Sequence, residues 1–246
     1  MINANAARPS ALLAGLFSPS VVAASELRGS ADPTMLLPEE AAACGTFRIN
    51  RLEEFAAGRL CARRALGEFG LGGFAVRRNA DRTPQWPEGI VGSITHTIGF
   101  CGAVVGSRER FAGLGIDAEI VARVTPDVCS QALTPEDIAH VSALASRERE
   151  RAAAVIFSAK EAFYKSQYGV TGSWLDYSDV SVELVPDAAD AGTFLVRTAT
   201  ATARRVMAGF APRGRYRIAD ALVFTGVAIT PSDLKTFSRP RLTVAS

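Results

Sequence analysis

Apolar residues recur at helical spacing through residues 39–70, where Ile49, Leu52, Phe55, Ala56, Leu60, Ala62, Leu66 and Phe69 form one stripe. Gly70, Gly72 and Gly73 follow it, so the spacing predicts a single long helix. Residues 77–87 are polar and carry Asn79, Asp81, Pro84 and Pro87, which is the chemistry of a loop. Short β-prone runs at 90–94 and 100–105 bracket Thr95-His96-Thr97 and put the histidine at a strand end or in the turn. Residues 113–120 alternate, with Leu114, Ile116 and Ala118 on one face and Asp117 and Glu119 on the other. A second helix is predicted over 147–168, with Ala152, Val155, Ile156, Ala159 and Phe163 inward and Tyr164 at the margin. Strands at 180–185, 193–199 and 221–229 come next, separated by Pro186, Asp187, Gly192, Pro212 and Gly214. Each half therefore runs from a helix to antiparallel strands. The pattern predicts an α+β fold of two lobes, residues 1–112 and 113–246, with the seam near 107–113.

Composition leaves that picture intact and narrows the function. The 246 residues are 48% hydrophobic and 21% charged, enough to bury a full core. With 27 basic and 25 acidic residues the net charge is +2, so no global field favours nucleic acid or an anionic membrane, and any anion site must be local. Lysine occurs only at 160, 165 and 235, arginine supplying every other cation. Cys44, Cys61, Cys101 and Cys129 include no C-x-x-C and, with His96 and His140, give no zinc-like spacing; free buried thiols in a reducing cytoplasm are expected. The apolar start at 11–17 has only Arg8 before it and Pro19 after it, which argues against a signal peptide. No apolar run approaches the ~20 residues of a membrane span.

Several clusters carry candidate chemistry, each with a plainer reading beside it. Asp117 and Glu119 share a strand face, and two adjacent carboxylates repel unless a divalent cation or basic groups neutralise them. A magnesium site and an acidic solvent face both fit. In FSAKEAFYK, residues 157–165, Glu161 and Lys165 are four apart with Lys160 alongside; such a pair commonly just steadies a surface helix. Two of the chain's three lysines stand here, however, and an ammonium can release a proton where a guanidinium cannot. Arg51 and Arg59 are eight apart, about 12 Å along a helix, and suit a solvated basic face as well as an anion site. Ser93, Thr95 and His96 lack a G-x-S-x-G elbow, which argues against a serine hydrolase.

Taken in order, GSITH at 92–96, GIDAE at 115–119 and FSAKEAFYK at 157–165 resemble the large two-lobed (Sfp-type) 4′-phosphopantetheinyl transferases. GRLCARRAL at 58–66 and TPQWP at 83–87 are similar to the branch that includes enterobactin-type and mycobacterial enzymes, and the resemblance spans residues 51–165. It implies two pseudo-symmetric lobes, coenzyme A at their interface and Mg²⁺ bridging its pyrophosphate. The phosphopantetheine arm would pass to a serine of an apo acyl- or peptidyl-carrier domain, releasing adenosine 3′,5′-bisphosphate. By the same resemblance Asp117, Glu119 and Glu161 are the metal ligands, Asp117 also being counted with the coenzyme-binding residues. Glu161 is the base for the serine, and Lys165 neutralises the leaving phosphate. Lys160 and Lys165 contact phosphates; Thr95 and His96 take the place of a Ser-His pair, the imidazole meeting the 3′-phosphate. Arg51, Arg59 and Arg78 surround the nucleotide phosphates, with Arg77 and Arg82 competing for the role of Arg78. Thr95 replaces a serine, Phe157 a frequent tryptophan, and Ala118 a larger aliphatic, none of which removes a required charge. Trp174 and Tyr177 are candidate carrier contacts or core aromatics. A monomer suffices, because the cleft needs no second chain. A non-catalytic coenzyme- or nucleotide-binding protein on this fold is the rival reading; it would keep the arginines and His96 but lose an acid.

Overall fold

In a computed structural model, which describes residues 7–17, 22–45, 47–208 and 210–234, the strands sort into two antiparallel sheets. Pro19 and Lys235 lie outside the described residues. The first half contains β1 (Arg8–Pro9), α1 (Ala11–Ala14), β2 (Ala23–Arg28), α2 (Pro38–Ala41), α3 (Ile49–Gly67), β3 (Ile90–Thr97) and β4 (Phe100–Ser107), with sheet order β1-β2-β4-β3. The second contains β5 (Gly113–Ile120), α4 (Pro126–Ala132), α5 (Pro135–Ala143), α6 (Ser146–Thr171), β6 (Val180–Ala188), β7 (Ala191–Thr198), α7 (Ala201–Met207), β8 (Arg213–Ala219) and β9 (Leu222–Ile229). Its sheet order is β5-β9-β8-β7-β6.

Each sheet buries one face under its long helix. Ala56, Ala57, Cys61, Ala65 and Leu66 of α3 meet Leu27, Cys101, Ala103 and Val105 of the first sheet. Ile156, Ala159 and Phe163 of α6 meet Val182, Phe194, Val196 and Val223 of the second. A third cluster joins the halves: Leu13, Phe100 and Val104 pack with Ile116, Ala118 and Phe224, and the Phe100 and Phe224 rings meet edge to face at 5.0 Å. Each large apolar side chain so buried is worth about 1.5–3 kcal/mol.

The seam is built differently from the sheets. β3 and β5 are edge strands of separate sheets, joined through side chains. Ser93 Oγ accepts from Ile116 N at 3.1 Å and Thr95 Oγ1 from Ala118 N at 3.1 Å, satisfying donors that β5 directs away from β9. On its other side β5 touches the α6 backbone. A Cβ at Gly113 would lie 2.2 Å from the Ser166 carbonyl oxygen, and one at Gly115 only 1.9 Å from that of Ala162. These two glycines let α6 settle directly over the carboxylate strand.

The predicted helix over 39–70 is broken in two. α2 ends at Ala41, Gly45 takes a left-handed φ of 32°, and α3 begins at Ile49. Buried Glu40 turns inward there to accept from Val76 N and Leu37 N, both at 3.0 Å, and from Arg63, tying the short helix to the loop beyond α3. β8 also escapes the sequence pattern: Arg213, Arg215 and Arg217 alternate outward with Gly214 and Tyr216 buried, so the strand reads as polar and Gly-punctuated. No helix among the described residues is long and apolar enough to cross a membrane.

Candidate active site

Asp117 sits on β5, buried under α6, and both its oxygens are engaged. Oδ1 accepts from Lys165 Nζ at 2.7 Å and from Thr95 Oγ1 at 3.2 Å; Oδ2 accepts from Ser158 Oγ at 2.9 Å. Glu119 lies two residues on, along the same strand face. Burial raises its pKa to about 7, the Asp117 and Glu161 charges pushing the same way and Lys165 opposing them. Burial alone would lower the pKa of Lys165, but Asp117 and Glu161 outweigh it and hold the ammonium above the usual lysine range. Glu161, one turn before Lys165, accepts from the Tyr177 hydroxyl. Burial and this neighbouring carboxylate keep the Tyr177 phenol protonated.

Between the lobes runs a cleft of about 800 Å³, with Arg51, Arg59, Arg82, Arg108, His96 and Lys165 on its walls. Five of these six are cations at neutral pH, against Glu54 and Asp81 on the same walls, so positive charge is concentrated here despite a net charge of only +2. Arg51 Nη1 lies 2.8 Å from His96 Nε2 and 3.0 Å from Glu54 Oε2. Nε2 also lies 3.3 Å from Glu54 Oε2; because a guanidinium only donates, the Arg51 contact is met by the neutral tautomer with its proton on Nδ1 and Nε2 accepting. Burial and the Arg51 charge lower the His96 pKa accordingly, against the pull of Glu54. Arg59 is threaded through the lobe: Nε donates to the Val76 carbonyl at 2.8 Å and the guanidinium stacks 3.8 Å from the Phe55 ring centre. Burial lowers its pKa to about 10, with Glu40 opposing, and it remains a cation at neutral pH.

Three residues expected at the coenzyme have protein partners in the structure. Lys160 is fully buried, paired with Asp137 at 2.7 Å and donating to the Ala132 and Tyr177 carbonyls at 2.7 and 2.9 Å; it is spent inside the second lobe. Arg78 sets its guanidinium 5.7 Å from the Phe47 ring, which Arg51 of the cleft approaches to 6.0 Å, and Arg82, at a φ of 73°, is the loop arginine that lines the wall. Thr95 is buried at the seam, its hydroxyl committed to Ala118 N and Asp117. Trp174 and Tyr177 divide: Trp174 is 84% exposed at the cleft, whereas Tyr177 stacks on Phe157 beside Glu161. Sequence reasoning missed Glu54, Arg108 and Thr225 as neighbours of the site and gave Ser158 no role, although Ser158 lies inside the 157–165 motif.

Among the described residues no three His, Cys, Asp or Glu side chains are grouped as a metal cage. The donor chemistry nevertheless fits a hard divalent cation: Asp117, Glu119 and Glu161 offer only oxygen, and the single Lys165 does not balance three carboxylates, the Asp117 and Glu161 charges adding to burial in raising the Glu119 pKa.

Residues 39–106 match the family model described as the 4′-phosphopantetheinyl transferase N-terminal domain, and residues 113–219 that of the 4′-phosphopantetheinyl transferase superfamily. The chain is 37% identical over 203 residues to 4′-phosphopantetheinyl transferase Svp of Streptomyces mobaraensis, covering 80% of each. It is 32% identical to Npt of Nocardia iowensis, covering 72% of this chain and 82% of that one. With PptT of Mycobacterium tuberculosis it shares 31% identity over 78% of this chain and 86% of the relative.

Proposed function

The chain belongs to the 4′-phosphopantetheinyl transferase superfamily and is an enzyme of that activity; from that premise we propose that it moves the phosphopantetheine arm of coenzyme A onto a serine of apo acyl- or peptidyl-carrier domains in a Mg²⁺-dependent reaction. The observation that carries this reading is one cleft whose cationic walls come from both lobes and which reaches Lys165, itself paired with Asp117.

The serine oxygen forms a bond to the phosphorus that bears the pantetheine arm. The bond from that phosphorus to the bridging pyrophosphate oxygen breaks, and adenosine 3′,5′-bisphosphate leaves. Arg51, Arg59, Arg82 and His96 hold the nucleotide phosphates, which is alignment and charge neutralisation rather than covalent chemistry. Neutral Nε2 of His96 can take up a proton to meet a phosphate once Arg51 turns to the same anion. Glu161 receives the serine proton, and the Tyr177 hydroxyl orients its carboxylate meanwhile. Lys165, kept protonated by its acidic neighbours, places fixed positive charge beside the departing phosphate. Asp117, Glu119 and Glu161 hold Mg²⁺, and the chemistry that ion supplies when bound is neutralisation of the pyrophosphate. The cleft needs no second copy and the described cysteines are free, which supports a monomer working in the cytoplasm.

Incubating the full chain with coenzyme A, Mg²⁺ and a panel of apo-carrier domains, then weighing the carriers, tests the proposal. A phosphopantetheine mass increment is expected on at least one carrier, lost in Asp117→Ala with the fold retained. Coenzyme binding with no increment on any carrier would favour the non-catalytic reading.

A further inference from the structure

Thr225 lies on β9 directly opposite Asp117 in the β5–β9 register, fully buried and 67 residues along the chain from Ser158. Its Oγ1 stands 2.9 Å from Ser158 Oγ and 2.8 Å from the Ser158 carbonyl oxygen. Ser158, likewise fully buried, reaches Asp117 Oδ2 at 2.9 Å. Proton accounting fixes the direction of this chain. An ionised carboxylate only accepts, so the single hydroxyl proton of Ser158 goes to Asp117. Ser158 then has none to offer Thr225, so Thr225 donates, sharing its proton between the Oγ and the carbonyl of Ser158. A helical serine without such a neighbour is free to rotate and bond the carbonyl four residues earlier, here Ala154. Thr225 blocks that alternative by supplying a donor where the Ser158 oxygen must accept.

We propose that Thr225 and Ser158 form a buried hydroxyl relay that positions Asp117, holding Oδ2 while Lys165 and Thr95 hold Oδ1, so that the whole carboxylate is fixed in place for a divalent cation. The inference rests on the metal role given to Asp117 above and assigns positioning roles to two residues that touch neither substrate nor metal. The relay acts in series: Thr225 reaches Asp117 only through Ser158.

The test is Thr225→Val, which keeps the shape and removes the hydroxyl, together with Thr225→Ser, Ser158→Ala and the double variant Ser158→Ala/Thr225→Val. Mn²⁺ binding to each full-length protein is titrated by electron paramagnetic resonance without coenzyme or carrier, and phosphopantetheine transfer is followed separately. Thr225→Val should fold cooperatively yet weaken Mn²⁺ binding about tenfold, in keeping with loss of support to a charged hydrogen bond. The Mg²⁺ needed for half-maximal transfer should rise by the same factor, with KM for coenzyme A unchanged. Thr225→Ser should restore both, and the double variant should match Ser158→Ala alone. Wild-type Mn²⁺ affinity in Thr225→Val, no rescue by serine, or additive losses in the double variant would each overturn the relay. Should the parent protein transfer nothing to any carrier, the functional reading fails, while the Mn²⁺ titration still decides the relay.

Discussion

Asp117, Glu119 and Glu161 cannot all ionise beside one lysine without cost, and Glu119 is the group that yields. Its pKa rises from an ordinary 4.5 to about 7, burial leading and the Asp117 charge adding to it. A carboxyl whose folded-state value lies above its unfolded one favours folding fully below the unfolded value. That contribution is lost as pH climbs from 4.5 to about 7 and becomes a constant penalty above. Glu119→Gln should therefore be more stable than the parent at pH 8 without divalent cation, by about 1–2 kcal/mol once solvent screening of this partly exposed carboxyl is allowed for, with the advantage shrinking toward pH 4. Thermal unfolding at the two pH values checks this; an equal shift at both would exclude ionisation as the cause. At this scale charge and motif together picked out side chains that the fold sets side by side, Lys165 against Asp117 and Arg51 against His96. The sequence misled at Lys160, because a lysine aimed at a phosphate and one neutralised by Asp137 look identical until α5 is folded against α6. Thr225 gave no signal at all, its meaning residing wholly in the register that sets it across from Asp117.

Elements were legible in proportion to the length of their periodic pattern. α6 and β5 stand close to where periodicity puts them, because long amphipathic and alternating runs leave few other ways to bury their apolar residues. Shorter pieces went unread, yet their signals were present: Thr125 and Thr134 each cap a helix with proline next, and Thr200 caps another. The contact of β5 with α6 shows how a glycine can set a site. At Gly115 an added methyl group would meet the Ala162 carbonyl well inside contact distance, and relief requires lifting α6, which carries Glu161 and Lys165, away from Asp117. Gly115→Ala should lower stability by roughly 3 kcal/mol in urea unfolding. Its transfer rate should fall further than the folded fraction explains. An unchanged unfolding midpoint would mean that the helix and strand are not in tight register.

The whole molecule depends on its seam. Leu114, Ile116, Ala118, Leu222 and Phe224 of the second half bury against Leu13, Phe100 and Val104 of the first, so neither half has a complete apolar interior alone. A fragment of residues 113–246 should bind a hydrophobic dye and unfold without a cooperative transition, while the full chain unfolds sharply. A sharp transition for the fragment would show that its own core suffices. The two-lobe division was visible in the sequence as two helix-to-strand runs, but the hydroxyl bridges across the seam were not, since Ser93 and Thr95 acquire partners only once β3 and β5 lie side by side. The strand bearing His96 and the strand bearing Asp117 meet within one polypeptide, β4 ending at Ser107 and β5 starting at Gly113. Their encounter is thus intramolecular, governed by a fixed effective concentration, and dilution of the protein leaves the assembly of the site unchanged.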